Sequence, residues 1–448
     1  MSKYVHDMTS GNEVKLLLGF ALPMFIGNTF QQFYNMADSI IVGRYIGSNA
    51  LGAVGSVGNL TFLFFSLCMG LGSGIGILIA QFFGAGKDYS VKCTIANSVY
   101  ITCIIGFVMS FFGVVLAKPI LRLMNTPPEN FTDALVYMRI VCGSIIIVAI
   151  YNTVSAILRA LGDSTTPLIF LVVSCIINIV LDLLFVIEFK MGVAGAAWAT
   201  VIAQIITTVA LIIYAVLKNP YMKLDKEHFQ LNKEVITKSF RIGLPLAGQS
   251  ALIAFSCVSL QSVVNQFGPT VMAAYTATSR VEQLVQQPYG SLATALSTFA
   301  GQNTGAGKYD RVSQGCKKSV YIVAVFSAMM VAVMFMFGNN IVSIFVNEPD
   351  VIEIGTMGLK ITSVMYFFLG LIYIMRGMLN GVGDAAFAMI NGITEVIGRI
   401  GFAWLLMLIP FVGMWSVWWT NGLTWVITGI ANVIRVKSGK WRQKSMIN

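Results

Sequence analysis

The chain has 448 residues, of which 56% are hydrophobic and only 11% are charged, whereas ordinary soluble domains carry about 25% charged residues. Its mean hydropathy is +0.79. So few charges could not cover the surface of a soluble fold of this length, which argues against a soluble enzyme, a nucleic-acid-binding protein and a disordered chain. The repeated apolar runs instead predict a polytopic helical membrane protein.

Twelve apolar runs are long enough to form membrane-spanning helices, and they fall into two groups of six. The longest polar interval, Lys218–Arg241, separates the two groups. We therefore predict an all-α integral membrane protein with an N-terminal lobe over 1–217, a cytoplasmic linker over 218–239, a C-terminal lobe over 240–434 and a basic tail over 435–448. The predicted spans are 16–42, 51–82, 94–117, 134–158, 167–189, 193–217, 240–266, 272–300, 318–345, 358–378, 386–409 and 412–434.

The distribution of basic residues predicts the orientation of these spans. With the N-terminus inside, and with basic residues at span ends counted in the adjoining segment, 21 Lys and Arg residues lie in inside segments, five lie in outside segments and three lie deep within spans. Inside loops carry the excess of Lys and Arg in membrane proteins, so we expect both termini in the cytoplasm. His6 and His228 lie far apart, and the seven cysteines are scattered without a CxxC pair. Neither set predicts a metal site or a disulfide.

The two halves of the chain repeat each other. Gly84-Ala-Gly-Lys87 matches Gly305-Ala-Gly-Lys308, and Leu158–Asp163 matches Leu379–Asp384, both at an offset of 221 residues. Six spans in each copy give both copies the same orientation, so an axis along the membrane normal should relate them, with a cleft between them. This arrangement is typical of a transporter that works by alternating access, and a receptor or a membrane enzyme does not need it.

Four polar side chains in the first half predict a cation site. Asp38 lies near the outer end of span 1, Asn178 and Asp182 lie one helical turn apart in span 5, and Thr200 lies in span 6. At 1.5 Å per residue all four fall in the outer leaflet, and buried ionisable groups within spans mark functional sites. Two carboxylates with an amide and a hydroxyl suit a hard monovalent cation or a shared proton. Simple hydrogen bonds to neighbouring helices are the alternative, but two unpaired carboxylates are a costly way to join helices.

The second half lacks this set, because the position that matches Asn178 holds Arg399. Glu395 and Arg399 stand four residues apart in span 11 and can form an ion pair on one helix face. Arg280 and Glu282 add charges in span 8. These residues either form a structural ion-pair network between spans 8 and 11 or contact a substrate directly, and the sequence leaves both readings open.

An ordered set of motifs resembles the multidrug and toxic compound extrusion (MATE) family over nearly the whole chain. The motifs are Leu22-Pro23, the polar run that ends at Asp38, Ala80-Gln81, Gly84-Ala-Gly86, Leu161-Gly-Asp163, Asn178-x3-Asp182, the Gly192–Thr200 segment, Gln302-Asn303 and Gly305-Ala-Gly307. The resemblance implies two six-helix bundles and efflux that is driven by sodium or proton entry.

Within the family the sequence resembles the DinF-type branch. That branch implies a cation site at Asp38, Asn178, Asp182 and Thr200. NorM-type members carry an acidic residue in the seventh helix where this chain has Ile253, so a second cation site in the C-terminal lobe is not expected. The resemblance further implies that Gln31, Tyr34 and Asn152 line a drug pocket in the N-terminal lobe. Asn35 and Glu282 are further candidates for substrate contact.

We therefore expect a secondary active multidrug exporter and not an enzyme. It should exchange organic cations or other amphipathic drugs for H⁺ or Na⁺ and need no cofactor. We expect a monomer in the cytoplasmic membrane of a bacterium, with drug-like small molecules and the lipid bilayer as partners and no nucleic acid. The alternative is a flippase for lipid-linked saccharides from the same wider superfamily, which would be expected to line its cleft with several arginines for pyrophosphate.

Overall fold

The computed structural model describes residues 5–124 and 126–447, and these residues form helices and connecting turns with no β-strand. Fourteen α-helices follow one another along this part of the chain. The first seven are α1 (Glu13–Tyr45), α2 (Ser48–Gly84), α3 (Asp88–Leu123), α4 (Pro128–Gly143), α5 (Ile145–Ala160), α6 (Thr165–Asp182) and α7 (Gly192–Lys218). The remaining seven are α8 (Lys233–Val264), α9 (Pro269–Gly305), α10 (Tyr309–Ser343), α11 (Pro349–Ser363), α12 (Tyr366–Gly381), α13 (Ala385–Met407) and α14 (Ser416–Lys437).

These helices form the twelve predicted membrane-spanning segments, because two of the segments are bent pairs. The pair α4 and α5 bends by 44°, and the pair α11 and α12 bends by 52°. Among the described residues, eight helices are long and apolar enough to cross a membrane, or ten segments if each bent pair is one span. Helices α9 and α14 complete the twelve. They carry more polar residues, many of which are buried against neighbouring helices.

The structure confirms the internal repeat in its bends and in its packing. The break at Ser144 and the break at Met365 are separated by the same 221 residues as the sequence motifs. Helices α2 to α7 contact one another in the same pairs as α9 to α14, so that α2 packs on α5 as α9 packs on α12, and α6 packs on α7 as α13 packs on α14. The last five spans of each half therefore form the same bundle.

The chain divides into two compact units whose boundaries fall inside α1 and α8. Unit 1 comprises residues 1–7 and 22–247, and unit 2 comprises residues 8–21 and 248–448. The start of α8 belongs to unit 1 because small residues let it approach α2 closely. A Cβ atom on Gly70 would lie 2.5 Å from the backbone nitrogen of Ala247, and one on Gly74 would lie 2.6 Å from that of Gly243. Close approach at small residues is a common way to pack membrane helices.

The segment before α1 belongs to unit 2 because polar contacts fasten it there. The backbone nitrogen of Met8 donates to Gln302 Oε1 over 2.8 Å. The carboxylate of Glu13 accepts from Arg311 over 2.8 Å and from Lys318 over 2.7 Å. The predicted lobe boundaries at 217 and 240 follow the sequence repeat. The packing units differ from them because the start of α1 packs within unit 2 and the start of α8 packs within unit 1.

Candidate cation and substrate sites

The four residues of the predicted cation site come together in unit 1. Asp38 projects from α1, Asn178 and Asp182 from α6, and Thr200 from α7. Asp182 is 0% exposed and Asn178 is 2% exposed. The carboxyl groups of Asp38 and Asp182 lie within hydrogen-bond reach of each other. Two ionised carboxylates at this range repel each other, so a proton or another cation between them would stabilise the pair.

The amide of Asn178 connects this carboxyl pair to α7. With its nitrogen facing Asp182, the amide donates to Asp182 Oδ2 over 2.9 Å. Its oxygen then accepts from the Thr200 backbone nitrogen over 3.0 Å and lies 3.3 Å from the Thr200 hydroxyl. This orientation gives each polar atom of the amide a partner of the right kind. The helix spacing of four residues in α6 therefore places amide and carboxyl on one face, as the sequence predicts.

Two oxygens of the pair remain available for a ligand. Among the described residues, Asp38 Oδ1 and Asp182 Oδ1 are buried without a hydrogen-bond donor. Directly after Asp182 the helix widens into a π-helical stretch, Leu183–Glu188. Such widened turns occur often at functional sites. The sequence contains no signal for this π-helical stretch. The stretch places the carboxylate of Asp182 at a change in helical pitch.

A small cavity lies beside the predicted cation site in the same unit. Its volume is about 30 Å³, and its lining includes Gln31, Tyr34, Asn178, Thr200 and Gln204. One water molecule needs roughly 10–15 Å³ by this measure, so the cavity holds about two waters and no drug-sized molecule in this conformation. The Tyr34 hydroxyl lies 3.5 Å from Thr200 Oγ1, which connects the cavity to the cation site.

Two residues of the predicted drug pocket do not line this cavity. Asn35 is exposed on α1, and its backbone oxygen accepts from the Ser39 hydroxyl over 2.8 Å. Asn152 lies on α5, where its amide donates to the Val148 backbone oxygen over 2.8 Å. Their role as substrate contacts stays a prediction.

The structure places one further residue near the predicted cation site, and the sequence reasoning missed it. Tyr137 of α4 is half-buried and packs against two apolar clusters of unit 1. It also lies within electrostatic range of both Asp38 and Asp182. A tyrosine in a predicted apolar span has no spacing that distinguishes it from an ordinary packing residue. Only the tertiary structure could identify it.

Unit 2 holds a buried charge cluster centred on Glu395. The predicted ion pair with Arg399 is present, with a distance of 3.6 Å between Arg399 Nη2 and Glu395 Oε2. Arg376 of α12 makes the closer contact, through Glu395 Oε1. Arg399 also donates to the Ser256 hydroxyl. The sequence reasoning missed Arg376, because its position two residues before the end of the tenth predicted span groups it with the inside charges.

Glu282 belongs to the same unit and is 5% exposed. It lies within electrostatic range of Arg399 and close to the Thr362 side chain. Its Oε1 atom is buried without a hydrogen-bond partner among the described residues. The buried cluster therefore contains two guanidinium groups and two carboxylates, which balance in charge.

The comparison with known families decides between transporter classes. The sequence pattern of the MatE family matches residues 23–184 and 245–405, one copy in each half of the chain. The chain belongs to the MATE family. The two matched stretches cover most of both bundles and reproduce the internal repeat.

Curated relatives of this MATE protein are named as multidrug transporters. The probable multidrug resistance protein YpnP of Bacillus subtilis is 30% identical over 446 residues, which is 98% of each chain. The probable multidrug resistance protein YoeA of the same organism is 30% identical over 85% of this chain and 83% of its own. The multidrug export protein MepA of Staphylococcus aureus is 24% identical over 91% of this chain and 89% of its own.

Solved structures support the same fold. A multidrug resistance MATE family transporter of the MOP superfamily, solved in an outward-facing conformation, superimposes with a TM-score of 0.92 at 23% identity and covers 99% of both chains. A MOP superfamily transporter from Pyrococcus furiosus gives a TM-score of 0.92 at 22% identity, covering 97% of this chain and 98% of its own. The protein is thus a multi-pass membrane transporter with the MATE fold.

Proposed function

We propose that this protein is a cation-coupled antiporter that exports organic cations and other amphipathic drugs by alternating access. The observation that carries the proposal is the contact between the carboxyl groups of Asp38 and Asp182. A buried carboxyl pair without a basic partner is unfavourable unless a cation neutralises it, so the pair responds to cation supply. The close contact favours a shared proton, and sodium bound to the same oxygens is the alternative.

The geometry suggests how cation loading acts on the drug site. A cation between the two carboxyls removes their repulsion and draws α1 toward α6 and α7. Tyr34 lies one helical turn before Asp38, and Gln31 lies about two turns before it, so both move with that part of α1. Pro23 within α1 removes one backbone hydrogen bond and supplies a flexible point in the helix. Loading would therefore close the cavity beside Tyr34 and release a drug that occupies it.

This mechanism requires cation and drug to compete. One coupling free energy acts in both directions, so a cation that weakens drug binding is itself bound less tightly when the drug is present. Under this competition, entry of the cation drives export of the drug across the membrane. The acidic and amide-rich character of the site supports organic cations as one substrate class. Because the curated relatives are named for multidrug transport, we do not propose the flippase function.

We place the transporter in the cytoplasmic membrane of a bacterium, as a monomer with both termini in the cytoplasm. The excess of basic residues in the predicted inside segments supports this orientation. The bacterial relatives support the location. Cysteine accessibility in intact cells would test the orientation.

The test of the function is drug efflux from proteoliposomes under an imposed pH gradient or an imposed sodium gradient. Asp38→Asn and Asp182→Asn should each abolish gradient-driven efflux while the protein still reaches the membrane in near-normal amounts. The matched control is Glu188→Gln, because Glu188 is an exposed acid six residues after Asp182 on the same helical segment. The control should keep wild-type efflux. Wild-type efflux by either aspartate variant would contradict the coupling role.

A further inference from the structure

Unit 2 contains a large open cavity that is separate from its buried charge cluster. The volume of this cavity is about 900 Å³, which falls within the range of about 300–1,000 Å³ that is typical of ligand pockets. The start of α9, the end of α10, most of α11 and the turn before α14 line it. Because α10 ends and α9, α11 and α14 begin at this end of unit 2, the cavity lies at a membrane surface. We call it the α11 cavity.

One face of α11 supplies the charged groups of this cavity. Asp350, Glu353, Met357 and Lys360 line it, and their spacing of three, four and three residues places them on one face of the helix. Asp350 and Glu353 are exposed in the first turns of α11. Lys360 lies about 10 Å further along the helix axis than Glu353, at 1.5 Å per residue. The cavity therefore holds two carboxylates at the membrane surface and one ammonium group deeper in the membrane.

These three charged groups have no ionic partner in the structure. Among the described residues, no ion pair involves Asp350, Glu353 or Lys360. Glu353 and Lys360 are too far apart on the helix to pair, because side chains meet over three or four residues. Lys360 Nζ instead lies 5.9 Å from the centre of the Phe335 ring. The hydroxyl oxygen of Thr356, which lies between the two levels, is buried without a hydrogen-bond partner. A ligand could therefore use acceptors at one level and donors at the other.

Apolar side chains surround the deeper part of the cavity. Met357 on α11 is 48% exposed, and Phe335 on α10 is 51% exposed. Met414 and Trp415, in the turn before α14, complete the lining. Tryptophan is enriched where the membrane meets water, because its ring is apolar and its N–H group is polar. These surroundings suit a molecule that has a polar head and apolar chains.

We propose that the α11 cavity binds a phospholipid whose headgroup carries a primary ammonium beside its phosphate, as in phosphatidylethanolamine. In a bilayer the ammonium of such a lipid lies at the surface, the phosphate lies next to the glycerol, and the acyl chains lie deepest. The cavity presents carboxylates, an ammonium group and apolar side chains in the same order. This order runs along α11 from its first residue, so it holds whichever side of the membrane this end of unit 2 faces.

Each part of the headgroup has a complementary partner in the cavity. The lipid ammonium has three N–H donors, which Asp350 and Glu353 can accept. Lys360 can donate to the phosphate, because its side chain leans toward the start of the helix and its long stem lets the charged end reach toward the surface. The Thr356 hydroxyl offers a further donor. A phospholipid without the ammonium would meet two carboxylates that repel its phosphate.

The test compares three lipids with the same acyl chains: phosphatidylethanolamine, phosphatidylcholine and phosphatidylglycerol. Phosphatidylcholine carries methyl groups in place of the ammonium hydrogens, and phosphatidylglycerol lacks the ammonium. Their dissociation constants are measured by native mass spectrometry with the purified full-length transporter in detergent. We expect wild type to bind phosphatidylethanolamine about tenfold more tightly than either other lipid, the usual effect of one charge-assisted hydrogen bond.

Two variants examine the two ends of the headgroup separately. Glu353→Gln should weaken binding of phosphatidylethanolamine about tenfold and leave phosphatidylcholine unchanged, because only the first lipid donates from its ammonium. Lys360→Gln should weaken both lipids by the same factor, because both carry the phosphate. The matched control is Glu348→Gln, which removes an exposed acid just before α11. It should leave both affinities at the wild-type values. Without added lipid, all three variants should keep the wild-type Tm.

Four results would overturn the proposal. They are equal wild-type affinities for phosphatidylethanolamine and phosphatidylcholine, equal effects of Glu353→Gln and Glu348→Gln, and an affinity for phosphatidylethanolamine that Lys360→Gln leaves unchanged. The third result would mean that the cavity binds a cation alone. The fourth is displacement of the lipid by soluble phosphoethanolamine at the same concentration, which would mean that the cavity binds a water-soluble compound. None of these measurements depends on transport, so the inference can fail while the proposed function stands.

Discussion

Replacing Glu395 with glutamine should destabilise unit 2 strongly, because this carboxylate pairs with two buried guanidinium groups. The side chains of Glu395, Arg399 and Arg376 are 6%, 9% and 16% exposed. Glutamine keeps the size of the side chain and removes the negative charge, which leaves the buried cluster with a net charge of one. The perturbation therefore tests electrostatics with little change in packing volume.

Two independent scales give the same magnitude for this loss. Breaking a buried ion pair costs about 3–5 kcal/mol in soluble proteins, and an unpaired charge at the centre of a membrane helix costs about 2.5–3.5 kcal/mol. We therefore expect a loss of about 3 kcal/mol. For a unit of this size, that corresponds to a decrease in Tm of roughly 6–12 °C. The measurement is thermal unfolding of the purified protein in detergent, with all variants at one scan rate because unfolding of such proteins is often irreversible.

Two further variants separate the charge effect from other causes. Glu353→Gln removes an exposed acid on α11 and should leave Tm unchanged. A quadruple variant, Arg376→Met and Arg399→Met with Glu282→Leu and Glu395→Leu, removes all four charges of the cluster and should recover most of the lost stability, because apolar replacements of similar volume avoid desolvation of ions. If Glu395→Gln keeps the wild-type Tm and loses only drug binding, our structural interpretation is wrong and Glu395 belongs to the substrate site.

Two other predictions test coupling and packing. Binding of a permanently charged organic cation should weaken about fivefold or more as pH falls if protons couple, or as sodium rises if sodium couples, because cation and drug compete. The measurement is the affinity of the probe in detergent, and Asp182→Asn should flatten the response. A wild-type affinity that stays constant in both titrations would contradict the mechanism. Gly70→Ala should lower Tm by forcing α2 away from Ala247. Gly58→Ala on the same helix would place its Cβ more than 4 Å from any described neighbour and should be neutral or slightly stabilising, because alanine favours helix. Equal Tm values for the two variants would show that the close approach is not tight.

Much of the fold follows from the sequence because a bilayer leaves the backbone few choices. A spanning segment has to satisfy its own hydrogen bonds, so apolar runs of sufficient length become helices almost wherever they occur. All twelve predicted spans overlap helices of the structure, and the 221-residue repeat reappears in the matched bends at Ser144 and Met365. The ordered motifs also indicate the MATE family, which the family match confirms.

The composition of the cation site could be predicted in part for the same reason. Ionisable residues are rare inside membranes, so each one stands out from its apolar surroundings. Counting residues from the helix ends puts Asp38, Asn178, Asp182 and Thr200 in the same leaflet, and the structure brings them together. Their function as a cation site stays a prediction.

Tertiary structure alone decided which polar groups actually meet. The sequence shows Glu395 and Arg399 one turn apart, but only packing of α12 against α13 brings in Arg376 as the closer partner. Tyr137 looks like an ordinary aromatic residue until α4 places it within electrostatic range of two carboxyl groups. Sequence spacing determines the face of a helix on which a residue lies, because that depends on local geometry. The partner across a helix interface depends on how helices rotate and approach one another, and no local pattern encodes it.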